Sequence, residues 1–293
     1  MTDGDAPLRV VCAGHVNWDV TLQVDRLPGP DGEARIADQY QSGGGSASNV
    51  AVALAGLDAS PLLLGSVGRD EYGWLVRREL ESVAVETELV ETAGETAVKY
   101  LVVDESGELM MFGNDGANEA YGAEDLSVRE FARADHLHLT SQAPGTAAEL
   151  ASAAADHGLT VSFDPGRRIG ERDYTDTIER ADLLFCNDRE AGALCADAAE
   201  TVSTLVVKQG SGGARALRDG REVTHAGFAV DPVDTTGAGD AFAAGFLAAR
   251  EEGIEHALAV GNACGALAAR TPGARVQVDW RDIRALLDIG PSG

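Results

Sequence analysis

Residues 230–249 read VDPVDTTGAGDAFAAGFLAA. Glycines at 237 and 239 flank Ala238, an aspartate follows at 240, and an alanine-rich apolar helix begins at once. Glycine lets a backbone turn tightly and approach a ligand closely. The first amides of a helix lack intrahelical partners, and the helix dipole favours negative charge beside them. Gly237, Ala238 and Gly239 can therefore aim backbone donors at a phosphoryl group, with the Asp240 carboxylate at the same helix mouth. A plain helix cap with a packing glycine pair has the same spacing, so this stretch alone leaves both readings open.

Working outward, the apolar runs set the fold. LRVVCAG (8–14) and SPLLLGSVG (60–68) read as buried strands. SGGGSASNVAVALAGL (42–57) is a glycine-rich turn opening a helix, with Ser46 or Ser48 placed to cap it. DEYGWLVRRELESV (70–83) has the spacing of an amphipathic helix. From ADHLHLTS at 134–141 onward the rhythm is regular. Strands at 159–164, 182–187 and 204–208 alternate with helices in GTAAELASAAADHG, DYTDTIERA and DREAGALCAD. Such alternation predicts an α/β fold, a mostly parallel sheet covered by helices on both faces. Two β-rich segments, about 17–42 and 95–113, interrupt the rhythm and are expected to form a small sheet projecting from one domain spanning 1–293.

Composition excludes several classes. The chain has 293 residues, 48 acidic against 23 basic, and a formal net charge of −25. Affinity for nucleic acid comes from basic groups neutralising phosphates, so a nucleic-acid partner is not expected. The acids are spread among periodic apolar segments, which fits a solvated surface working in concentrated salt rather than a disordered tail. No run of 18 apolar residues and no charged-then-apolar leader occurs, so a soluble cytoplasmic protein without a membrane partner is expected. Cys12, Cys186, Cys195 and Cys264 form no CxxC pair and read as buried thiols in a reducing compartment. No Walker A loop is present, because Lys99 and Lys208 each follow a valine. His136 and His138 alternate in a strand; they read as satisfied core positions rather than metal ligands.

With these segments in place, VDTTGAGDAFAAGF resembles the C-terminal signature of the ribokinase-like (PfkB) carbohydrate kinases. GHVNWDVTLQVDRLP, SGGGSASNVAVALAGL, NDREAGAL, VVKQGSGGA and GNACGALAARTPGA resemble the family's other motifs, in family order across nearly the whole chain. The resemblance implies the ribokinase-like fold with its β-sheet lid, and transfer of a phosphoryl group from ATP to a sugar hydroxyl. It implies Asp240 as general base and Gly237, Ala238 and Gly239 as the anion hole. It puts Asn17, Asp19, Gly43, Gly44 and Asn49 on the sugar side, the glycines admitting the ring close to the backbone. Asn187, Lys208, Gly210 and Asn262 fall on the nucleotide side. Glu190 would organise Mg²⁺ through waters, and Asp234 would contribute to a K⁺ site opposite TPGA at 271–274. A homodimer through the lid is the expected assembly.

The departures concern substrate. Family members specific for ribose tend to carry Lys in the glycine loop, where this chain has Gly45 and Ser46. Lys208 stands where a hydroxyl residue is common. FDPGRR (163–168) puts Arg167 and Arg168 after a strand that should end above the site, its Asp-x-x-x-Arg spacing resembling 2-keto-3-deoxygluconate kinases. Arginine pairs naturally with phosphate or carboxylate. Ribose 1-phosphate is therefore the favoured substrate, Arg168 its expected anchor. Keto-deoxy sugar acids, ribose, fructose and nucleosides stay open, as does a non-catalytic sugar or nucleotide sensor on the same fold.

Overall fold

Short apolar runs become strands here because both their faces are covered. A computed structural model describes residues 6–194 and 201–290. Its main sheet runs β1 (Arg9–Ala13), β4 (Ser60–Gly68) and β5 (Glu86–Thr92) to one side. On the other side are β8 (His136–Thr140), β9 (Thr160–Asp164), β10 (Leu183–Asn187), β11 (Thr204–Lys208), β12 (Ala214–Arg218) and β13 (Arg221–His225). Among the described residues the order is β13-β12-β11-β10-β9-β8-β1-β4-β5, parallel from β11 to β5, with β12 and β13 added antiparallel at one edge.

Helices cover both faces, as expected. On one face the core joins Val10, Leu63, Phe185 and Val206 to α1 (Ser46–Gly56) and to two late helices, α7 (Ala238–Ala249) and α8 (Ile254–Ala269). On the other, Leu137, Leu139, Val161 and Leu184 meet α3 (Val128–Arg133) and α4 (Pro144–Asp156). α2 (Glu71–Ser82) starts at an Asp70 cap whose side chain accepts from Gly73 N. α9 (Trp280–Ile289) closes the described chain. No described helix is long and apolar enough to cross a membrane.

The second sheet has order β3-β2-β6-β7, from β2 (Asn17–Val24), β3 (Ile36–Gly44), β6 (Ala97–Asp104) and β7 (Leu109–Gly113). It joins the two interrupting segments as expected, but β3 runs on to Gly44. The two hairpins associate through a parallel β2–β6 pair.

Several local expectations change. α1 is not capped by Ser46 or Ser48: its N-cap is Gly45 at φ 96°, where a Cβ would lie 2.3 Å from His15 O. The helix expected in DYTDTIERA shrinks to α5 (Thr175–Ile178), because β-branched Thr175, Thr177 and Ile178 favour helix poorly and β10 must begin at 183. Of DREAGALCAD, α6 is Asp188–Ala191, and Cys195 lies outside the described residues. Polar β5 and the β12–β13 hairpin carry no strong apolar signal and were not expected. Cys12, Cys186 and Cys264 are buried free thiols. His136 and His138 are fully buried core positions, each sharing a hydrogen bond with Ser162 Oγ, at 2.6 and 2.7 Å, but His138 is not fully satisfied: its Nε2 has no partner among the described residues.

Candidate active site

Parallel strands end together, and the crevice beyond their carboxyl ends is where α/β folds bind ligands. Here that crevice is a cavity of about 1060 Å³. It is lined by Ala238, Gly239, Asp240, Asn187, Glu190, Lys208, Gly210, Asn262, Arg167 and Arg168 from the expected residues.

At its centre is the mouth of α7. Gly237 is the N-cap, in the left-handed region at φ 75°. A Cβ there would lie 2.0 Å from Ala274 O, so this glycine is required by packing against the 271–274 turn. Ala238 N–H donates to Thr235 O at 3.2 Å, while the amides of Gly239 and Asp240 have no hydrogen-bond partner among the described residues. Of the three expected donors only Ala238 is taken; Gly237 N–H likewise has no acceptor among the described residues, and Asp240 N–H joins the free set. Asn49 Nδ2 donates to Asp240 Oδ2 at 2.8 Å. Burial pushes the Asp240 carboxyl up to about 6, helped by the charge of Asp164 and opposed by Asn49, Lys208 and Lys99. A carboxyl tuned near neutrality suits a general base.

On the nucleotide side, Asn187 caps α6 reciprocally: its Oδ1 accepts from Glu190 N at 2.9 Å and Glu190 Oε2 accepts from Asn187 N at 2.8 Å. Burial, and then Asp164, raise Glu190 above the usual range. Asn262 Nδ2 donates to Leu258 O at 2.8 Å, and Phe228, Val230 and Ala266 add an apolar wall. No group of three or more His, Cys, Asp or Glu suited to a metal occurs among the described residues.

None of the expected sugar-side residues, Asn17, Asp19, Gly43, Gly44 and Asn49, lines this cavity. Asn17 is fully buried, and Asp19 and Asn49 nearly so. Asn17 Nδ2, Asp19 Oδ1 and Asn49 Oδ1 have no hydrogen-bond partner among the described residues. The glycine pair also has a packing reason. A Cβ on Gly43 would fall within 1.9 Å of Arg275 Nη1, and one on Gly44 within 2.1 Å of Asp19 Oδ2. Gly43 thus accommodates Arg275, which bonds Ser48 Oγ and reaches Glu79 Oε2 at 3.4 Å, and Gly44 accommodates Asp19. No sequence signal marked Arg275.

Asp234 does not line the cavity. Its Oδ1 accepts from Thr236 N at 2.9 Å, and its Oδ2 from Gly273 N at 3.0 Å and Tyr40 OH at 3.2 Å. It thereby ties the loop before α7 to the 271–274 turn.

The paired arginines point apart. Arg168 bridges Glu119 Oε1 at 3.2 Å and Asp115 Oδ1 at 3.0 Å. Arg167 lies by Met111 Sδ and interacts with Glu190. Glu119, unmarked in the sequence, also meets His15 at 2.9 Å and Arg172 at 2.7 Å. His15 first, then Arg172, hold its carboxyl down at about 2.

Comparison with known proteins agrees with this geometry. The model of the pfkB family carbohydrate kinases matches residues 8–281. An ATP-dependent ribose-1-phosphate kinase of Halopiger xanaduensis is 56% identical over 92% of this chain and 94% of its own length. A Bacillus subtilis ribokinase is 30% identical over 92% and 95%. The nucleoside kinase structure from Methanocaldococcus jannaschii superposes with a TM-score of 0.84 at 25% identity, covering 98% of this chain and all of that one. A family match over residues 8–281, on a chain whose glycine turn and aspartate meet at one cavity, makes this protein a member of the pfkB family of carbohydrate kinases.

Proposed function

We propose that this protein transfers the γ-phosphoryl group of ATP to the primary hydroxyl of ribose 1-phosphate, giving ribose 1,5-bisphosphate. The observation that carries the reaction type is Asp240, raised to about 6 beside two unpaired amides at a helix mouth. The substrate is supported by the 56% identity to the Halopiger kinase and by Arg168 on the cavity wall.

In this reading Asp240 takes the hydroxyl proton as the oxygen bonds to the γ-phosphorus, and ADP departs with the electrons of the broken bond. Asn49 keeps the carboxylate aimed. The amides of Gly239 and Asp240 meet charge developing on the phosphoryl oxygens. Asn17, Asp19 and Asn49 are closed off from the cavity in this conformation; a shift of the smaller sheet would open their polar atoms, one donor and two acceptors, to sugar hydroxyls. Lys208, Gly210 and Asn262 take the nucleotide. Mg²⁺ would be held mainly by nucleotide phosphates and waters, with Glu190 and Asn187 reaching it, and would supply charge neutralisation. K⁺ would sit by Asp234, whose Oδ1 accepts only one donor, and the carbonyls of 271–274.

The smaller sheet acts as a lid that excludes water on closure. Its apolar Ile36, Tyr100, Leu109 and Phe112 are exposed and would meet a second copy in a homodimer. The buried free thiols fit a reducing cytoplasm. The test is an ADP-release screen at high KCl over ribose 1-phosphate, ribose, fructose, nucleosides and 2-keto-3-deoxygluconate. Ribose 1-phosphate should give the highest kcat/KM; turnover of ribose at an equal or higher value would reject the assignment.

A further inference from the structure

The chain carries two lysines among its 23 basic residues, Lys99 and Lys208, and both line the cavity. All its other Lys/Arg positions are arginine. A guanidinium is a wide planar fork, whereas an ammonium is a compact point charge that fits against a tight backbone turn. Lys208 ends β11, and its side chain crosses to the mouth of α7: a Cβ on Gly239 would lie 3.3 Å from Lys208 Nζ. The ammonium donates to Asp164 Oδ2, at the end of β9 two strands away. Both side chains are largely buried, 15% and 10% exposed. Burial alone would disfavour the charged lysine, but Asp164, Asp240 and Glu190 outweigh it and hold the ammonium above its usual range.

Those three carboxylates face the corner that a γ-phosphate must enter. Without a fixed cation they would repel it. Lys208 already touches the turn whose amides are unpaired. We propose that Lys208 is a catalytic residue whose ammonium holds the transferring phosphoryl group against the Gly239 and Asp240 amides, and that Asp164 is the positioning residue that aims it. The inference rests on the phosphoryl-transfer reading above. Asp164 is the resident anion on the ammonium, and phosphoryl oxygens share or replace it when ATP binds. During transfer the sugar oxygen bonds to the γ-phosphorus, the bond to the ADP oxygen breaks with its electron pair on ADP, and the hydroxyl proton passes to Asp240. Lys208 stays protonated throughout and offsets charge on the equatorial oxygens.

Replacing Lys208 alone would strand a buried carboxylate, so the main variant is the pair Lys208→Met with Asp164→Asn, which removes both charges together. It is assayed by ADP release from ATP with ribose 1-phosphate, by calorimetric titration with ATP, and by thermal melting. It should fold, keep the sugar KM within about threefold, and lose about 10²–10³-fold in kcat, the size of a lost transition-state donor. Lys208→Ala should regain about tenfold or more in kcat with added methylammonium but not with tetramethylammonium, which cannot donate a hydrogen bond. Asp164→Asn alone should lower kcat by about tenfold, with Asp164→Glu recovering part of it.

A double variant with kcat within about threefold of the parent would overturn the proposal, as would weakened ATP binding with saturating kcat intact. If the double variant does not fold, amine rescue of Lys208→Ala decides, and its absence counts against the ammonium. Failure of the unaltered protein to release ADP with any acceptor would sink the kinase reading, and this inference with it.

Discussion

The nine-stranded sheet buries β8 and nearly all of β1 and β9, whereas the four-stranded sheet leaves Ile36, Tyr100, Leu109 and Phe112 in solvent, Phe112 at 55%. The first has helices on both faces; the second meets the rest of the molecule through β2, where Trp18 stacks on Tyr72 of α2 at 6.0 Å, and through β3, where Tyr40 OH donates to Asp234. A fully packed sheet resists small displacements, and a half-covered one can move as a unit or pair with another copy. The chemistry follows that division. Asp240, Lys208, Asp164 and Glu190 hang from the ends of the packed sheet and its helices, while Asn17, Asp19 and Lys99 come from the smaller one.

The division predicts where substitutions hurt most. Gly237→Val puts a side chain into Ala274 O at a left-handed residue of the packed half. It should cost about 3 kcal/mol or more of stability, lowering the melting temperature by roughly 6–12 °C, and remove most activity. A variant that melts like the parent would show that the α7 mouth yields as readily as the lid. Arg168→Ala, at the seam between the halves, should raise the KM for ribose 1-phosphate about 10–100-fold with kcat nearly unchanged, and leave neutral ribose alone. An equal effect on both acceptors would remove Arg168 from anion recognition.

On the lid, Phe112→Asp should convert a dimer to a monomer by sedimentation while changing kcat by less than about threefold, since the catalytic groups lie elsewhere. A monomeric parent would reject the dimer outright. The smallest effect belongs to the whole surface. With a net charge of −25, melting temperature should rise by several degrees from low salt to roughly 3 M KCl as repulsion is screened. A flat response would contradict the surface argument, and equal activation by NaCl would leave the K⁺ site without support.

Much of this architecture was legible because strand ends and glycine turns are written locally. The 230–249 stretch led to the α7 mouth, and strict alternation led to the parallel sheet. Features made by distant residues were not legible. Arg275 meets Gly43 through a contact 232 positions away in sequence, so the glycine pair looked like a ligand approach when it is also a packing requirement. Glu119 gathers His15 and, from the segment after β9, Arg168 and Arg172. β5 was missed because its side chains alternate with little apolar content at a sheet edge. That Ala238 N–H is taken by Thr235 O while Asp240 N–H is left free was not legible, because it depends on how the turn closes in space.

The central claim is that Asp240 is the base of a phosphoryl transfer, and one paired measurement tests it: kcat/KM against pH for the parent, beside Asp240→Asn at pH 8. Asp164, Lys208 and Lys99 face this carboxyl along with Asn49, and the balance leaves it at about 6. The base works deprotonated, so the parent should hold a plateau above that value and lose about tenfold per pH unit below it. Asp240→Asn should lose about 10²–10⁴-fold in kcat at pH 8, with sugar binding kept. Because a carboxyl raised on folding binds protons more tightly in the native state, its ionisation destabilises the fold as pH rises through the folded value. Asp240→Asn, which carries no such charge, should therefore melt no lower than the parent at pH 8. A variant that retains kcat within about threefold would contradict the account, whatever its stability.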